Sequence, residues 1–145
     1  MLALSAIALL LTIIVYHDLR SRHVPPRLVL AIALVSLFLL FSRNFDGHSL
    51  YWTLGIILVG IFLSRKNMLG GGDTKLLAAI MLGVHAQLAA LLILSITLLG
   101  AVQAIAILLF QRLGKVSRKR GVPYTLPIAA CGFAATSLTV LGANA

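Results

Sequence analysis

Apolar runs long enough to cross a bilayer recur from one end of this chain to the other, and nearly every charged side chain falls between them. The first run extends from Leu2 to Tyr16 and ends in the polar segment His17 to His23. Pro25 and Pro26 then break the backbone and open a second run that continues to about Phe41, since proline is tolerated in the first turn of a helix. Further runs follow at Tyr51 to Leu63, Leu76 to Val84 and Leu88 to Phe110, and a last one reaches Leu141 from a start bracketed by Pro123 and Pro127. Of the 145 residues, 61% are hydrophobic and 10% charged. A soluble domain carries roughly a quarter charged residues, so an aqueous globule is excluded. No intervening stretch is large enough to fold separately, and residues 1–145 are expected to form one all-α membrane domain. Met1 to Val15 has the length of a signal-peptide core but lacks a basic n-region. It leads into His17, Asp18 and Arg20 rather than a small-residue cleavage site, so it reads as a retained first span.

The net charge of +9 does not imply nucleic acid, because the cations sit in short segments beside the apolar runs. Anionic headgroups are their expected partners. If the N-terminus is outside and six spans alternate, the inner side holds Arg20, Arg22, Arg27, Arg65, Lys66, Lys75, Arg112, Lys115, Arg118, Lys119 and Arg120. Only Arg43 lies outside, and the C-terminus is outside as well. Omitting the fourth span would place the Arg112 to Arg120 cluster on the wrong side. That span is short: a helix from Asp73 to Val84 is only about 17 Å long. Either it continues through His85 and Gln87, or it starts below the membrane surface and is entered through non-helical glycine backbone. The latter is tolerated only beside protein or a wet cavity.

The chain has three acidic residues, Asp18, Asp46 and Asp73. Asp46, beside Gly47 in the predicted outer loop, reads as a turn residue. The topology puts Asp18 and Asp73 at the cytoplasmic ends of spans one and four, at similar depth. An ionised Asp inside a bilayer costs roughly 2.5–3.5 kcal/mol on insertion scales, so two of them call for a function. Two carboxyls that meet across helices make aspartyl proteolysis possible: one takes a proton from water while its protonated neighbour polarises the scissile carbonyl. Their repulsion lets the pair share a proton, and Arg20 and Lys75 act against that repulsion. The glycines Gly70, Gly71 and Gly72 remove every side chain just before Asp73. Backbone there is open to an extended peptide, as in strand addition. Taken singly, Asp18 also reads as a juxtamembrane acid paired with Arg20 or Arg22, and Asp73 as the N-cap of the fourth helix.

Gly70-Gly71-Gly72-Asp73-Thr74-Lys75-Leu76 matches the GxGD signature of type IV prepilin peptidases in its extended form GGGDxKL. Asp18-Leu19-Arg20-Ser21-Arg22-His23-Val24-Pro25 resembles the family's first-aspartate motif, with Val24 in place of Ile and Pro26 where the family has Asn. Pro123-Tyr124-Thr125-Leu126-Pro127 is similar to the proline-tyrosine motif that opens the family's last helix. The matches fall in the family's order. The resemblance implies Asp18 and Asp73 as a catalytic pair, without cofactor. It also implies a pilin-like precursor whose basic leader is cut at the cytoplasmic face of the bacterial inner membrane. With no cysteine-bearing insert after the first helix, the chain resembles the short tight-adherence (Flp) form, which implies peptidase activity without methyltransferase activity.

Substrate contacts are expected from Gly70, Gly71, Gly72, Lys75, Pro123 and Tyr124. Lys75 reads equally as a cation snorkelling to headgroups, and Tyr124 as an inner-interface anchor. Tyr51 and Trp52 fit an outer interfacial belt. His17, His23, His48 and His85 are scattered without metal-ligand spacing, and Cys131 reads as a small buried hydrophobe. Two other functions fit the acids: a small proton-coupled transporter or channel subunit using Asp18 and Asp73 as a relay, and a different GxGD protease acting on signal peptides or transmembrane stubs. A transporter often carries a glycine-broken segment in both halves, whereas this chain has one.

Overall fold

The computed structural model describes residues 2–21, 24–42, 47–66, 70–112 and 124–142, which form helices with no strand among them. In chain order these are α1 (Leu2–Ser21), α2 (Pro26–Phe41), α3 (Gly47–Arg65), α4 (Gly71–Met81), α5 (Ala86–Arg112) and α6 (Thr125–Gly142). Arg22, His23, the loop from Arg43 to Asp46, Met68, Leu69 and the segment from Lys115 to Pro123 lie outside the described residues.

Local chemistry sets the helix starts and stops. Pro25 has extended backbone and caps α2, with Pro26 in the first turn, where a missing N–H costs nothing. Helix α1 does not stop at Tyr16. No breaker precedes Pro25, so it continues to Ser21 and carries His17, Asp18 and Arg20 within it. Helix α3 likewise begins at Gly47, ahead of Tyr51. Helix α4 is the short one, with 11 residues, and a turn through Leu82 to Val84 separates it from α5. Four helices, α1, α3, α5 and α6, are long and apolar enough to cross a membrane; α2 is apolar but has 16 residues.

The helices stack in two layers, α2–α4–α3 over α1–α6–α5, joined by α1 against α2, α4 against α6 and α3 against α5. The middle of each layer is therefore α4 or α6. In α6, 56% of the apolar window is buried, against 17–22% in the three other long helices. Missing side chains let these central helices approach closely. A Cβ on Gly132 of α6 would sit 2.8 Å from Ile80 Cδ1 of α4, and one on Gly60 of α3 would overlap the Thr74 side chain. The outer helices present Leu34, Phe38, Leu58, Phe62, Leu94 and Leu98 to the surroundings. A continuous apolar exterior of this kind suits hydrocarbon rather than water.

Helices α4 and α6 run parallel and in register. Asp73 meets Thr125 at their starts, and about two turns further on Ile80 meets Gly132. At the same end Val24 touches Gly72, and Ser64 of α3 lies beside Gly71. The end of α1, the start of α2, the end of α3 and the starts of α4 and α6 thus gather at one end of the bundle.

Candidate active site

Asp18 takes its direction from the apolar spacing of α1. The buried residues of that helix are Ile7, Leu11 and Ile14, and Asp18 is the next position on the same face. It is half-buried and faces the bundle. Arg20 points elsewhere: its Nη1 donates to the Tyr16 hydroxyl at 2.8 Å, and no ion pair ties it to Asp18.

The start of α4 differs from expectation in two ways. Gly70 is the capping residue, with extended backbone, while Gly71 and Gly72 are already helical, so Asp73 is the third residue of the helix and not its N-cap. Only one glycine is therefore non-helical. The first helical hydrogen bond runs from the Thr74 N–H to the Gly70 carbonyl at 3.2 Å. Each helical glycine costs about 1 kcal/mol in propensity, offset here by the packing of α4 among α2, α3 and α6. What the glycines supply is space. A Cβ on Gly72 would press on Val24 at 3.2 Å, and one on Gly70 would lie 3.0 Å from Asp73 Oδ2. The N–H groups of Gly71, Gly72 and Asp73 have no partner within the helix, and the dipole at this end favours negative charge.

Asp18 and Asp73 face one cavity of about 390 Å³, which Val24, Pro26, Val29, Gly70, Gly71, Gly72 and Lys75 complete. Lys75 is exposed at the rim. Tyr124 is not part of this wall; its ring lies against Gly100 of α5, where a Cβ would be 2.7 Å from Cε1. Pro123 is outside the described residues. The residue missed from sequence is Thr125, buried to 1% exposure, whose hydroxyl donates to Asp73 Oδ1 at 2.9 Å. No group of three metal-ligating side chains occurs among the described residues.

A larger groove of about 580 Å³ lies between α3, α4 and α5, with Trp52, Val59, Leu63 and Leu77 in its walls. It contains neither carboxyl, and His48 lies at one end of it.

The sequence model of the type IV leader peptidase family matches residues 5–105, which include both cavity aspartates and the glycine run. The chain belongs to that family. No curated protein and no solved structure gives a significant match. For this leader peptidase relative, membership implies aspartic-type peptidase activity, pilin precursors as the general class of substrate and a multi-pass membrane location. Thr125 and all of α6 lie beyond the matched stretch.

Proposed function

We propose that this protein is an intramembrane aspartic endopeptidase that cuts the basic leader from type IV pilin-like precursors at the cytoplasmic face of the bacterial inner membrane. Asp18 and Asp73 form the catalytic pair. The single observation behind this reading is that two half-buried carboxyls, from helices far apart in the chain, share one cavity. One carboxylate accepts a proton from water as the oxygen attacks the scissile carbonyl carbon, and the other carboxyl gives its proton to the carbonyl oxygen. The tetrahedral diol then collapses: one hydroxyl gives its proton to the ionised carboxylate, the C–N bond breaks as the leaving nitrogen takes the proton of the other carboxyl, and the pair is left holding one proton in its starting arrangement.

The remaining wall serves binding. The free N–H groups of Gly71 and Gly72 offer donors to a peptide carbonyl at the cavity rim. Lys75 supplies a cation there. The contact of Tyr124 with Gly100 favours an anchoring role at the start of α6 over contact with substrate.

The orientation follows from charge: six crossings in one domain, 1–145, with both termini outside and the cavity on the cytoplasmic side. The buried positions of α5 end at Gly100, while the helix continues to Phe110 with Gln103 as its one polar residue over that stretch. Gly100 is level with Tyr124, so apolar helix extends about 15 Å beyond the start of α6. The carboxyls are therefore recessed within the inner leaflet, which suits the short α4. Family membership favours this peptidase over a proton relay built on the same acids. No methyltransferase activity is expected.

The test is coexpression with a pilin precursor, read as a mobility shift on a gel. The wild-type chain converts precursor to mature pilin, and Asp73→Asn leaves it uncut. Processing by Asp73→Asn at the wild-type rate removes the enzyme reading.

A further inference from the structure

We infer that Thr125 is the positioning residue of the catalytic site, holding Asp73 Oδ1 so that Oδ2 is the oxygen presented to substrate water. The inference rests on the catalytic reading of Asp73 and adds a residue that neither motif spacing nor family membership assigns.

The behaviour of the other threonines carries the argument. Thr12, Thr53, Thr74, Thr97, Thr136 and Thr139 each donate to the carbonyl four residues back in their own helix. This is the ordinary fate of a helical threonine hydroxyl. Thr125 is the first residue of α6 and has no helical carbonyl behind it. Its hydroxyl is thus released from local bonding and crosses between helices to Asp73, 52 residues away in sequence, at 2.9 Å. At 1% exposure, water does not compete for it.

The second carboxyl oxygen has open space beside it instead of a partner among the described residues. Oδ2 lies over Gly70, at the position that a Cβ would crowd at 3.0 Å. Gly70 and Asp73 both line the cavity, so the oxygen left unbonded by Thr125 sits in its wall. The charged groups facing this cavity are Asp18 from α1 and Lys75 from α4, whereas α2 contributes only Pro26 and Val29. Among the described residues no cation is bonded to Asp73, and the hydroxyl of α6 is the side chain that holds it. A carboxyl free to rotate about its terminal bond would spend less time aligned for proton transfer, which lowers turnover rather than affinity.

The experiment uses the full chain in detergent or nanodiscs with a synthetic precursor, comparing Thr125→Val, Thr125→Ser, Thr125→Ala and Asp73→Asn. Thr125→Val should lower kcat about 10- to 100-fold, the effect of losing one hydrogen bond to a charged group, with KM within about twofold. Thr125→Ser should stay within about threefold of wild type. Serine and alanine differ by one oxygen, so Thr125→Ser should exceed Thr125→Ala by the same 10- to 100-fold even if valine disturbs the fold. Equal kcat for Ser and Ala, or a change confined to KM, overturns the inference. If Asp73→Asn still cleaves, the catalytic reading itself fails. If Asp73→Asn is dead while the Ser and Ala variants match, only the role of Thr125 is lost.

Discussion

The two ends of α4 are both polar, both packed among neighbouring helices, and chemically unlike. At the far end, Ser49 Oγ donates to the Val84 carbonyl at 2.8 Å and the His85 N–H donates to Thr139 Oγ1 at 3.3 Å. Each of those bonds has a backbone group on one side. They satisfy the turn between α4 and α5, where chain leaving a helix would otherwise bury unpaired groups. The space there amounts to about 20 Å³. At the near end the bond joins two side chains, Thr125 and Asp73, and the adjoining cavity is about 390 Å³. Polar groups that close a turn leave no room, whereas polar groups that do chemistry must leave room for substrate. The difference sets the proposed catalytic end apart from the structural end within one short helix.

The largest effect that sharpens this contrast is loss of either cavity carboxyl. Asp18→Asn and Asp73→Asn should each lower precursor processing by about a thousandfold or more, as expected when a general acid or base is removed from a concerted pair. Asp46→Asn, at the position the sequence reads as a turn residue, should process at the wild-type rate. An inactive Asp46→Asn with normal folding would contradict the assignment.

Next comes a substitution between the two ends. Gly132→Leu forces a side chain into the space occupied by Ile80 Cδ1, so overpacking should destabilise the bundle by about 1–3 kcal/mol. Thermal unfolding in detergent would register it, and an unchanged midpoint would show that α4 and α6 are not closely packed there. A smaller change is expected from Gly70→Ala. A methyl at 3.0 Å from Asp73 Oδ2 should cut turnover several-fold, with the unfolding midpoint moved by less than the Gly132→Leu variant moves it. The smallest effects belong to the far end. Ser49→Ala should cost about 1 kcal/mol of stability and leave kcat within about twofold, because its partner is a turn carbonyl remote from the cavity.

Much of this arrangement was legible in the sequence. The apolar runs correspond to the helices, and α2 spans Pro26 to Phe41 as the prolines and apolar residues predict. The two acids stood out because charges are rare and the glycine run adjoins one of them. The inward direction of Asp18 was legible too, had the spacing of Ile7, Leu11 and Ile14 been carried one turn further. Other features depend on tertiary contacts that no local pattern encodes. Gly71 and Gly72 are helical because α4 is clamped on three sides, which overrides their propensity. The role of Thr125 depends on α6 lying parallel to α4. The one available hint was a hydroxyl residue at a helix start, where it has no carbonyl behind it to bond.

The central claim is that two carboxyls work as a unit, and the most direct measurement compares Asp18→Asn, Asp73→Asn and the double substitution in one quantitative cleavage assay. All three should lose the same amount, because a pair missing one member has already lost its chemistry. Losses that multiply in the double variant would mean that the two residues act independently, and so would substantial activity in either single variant.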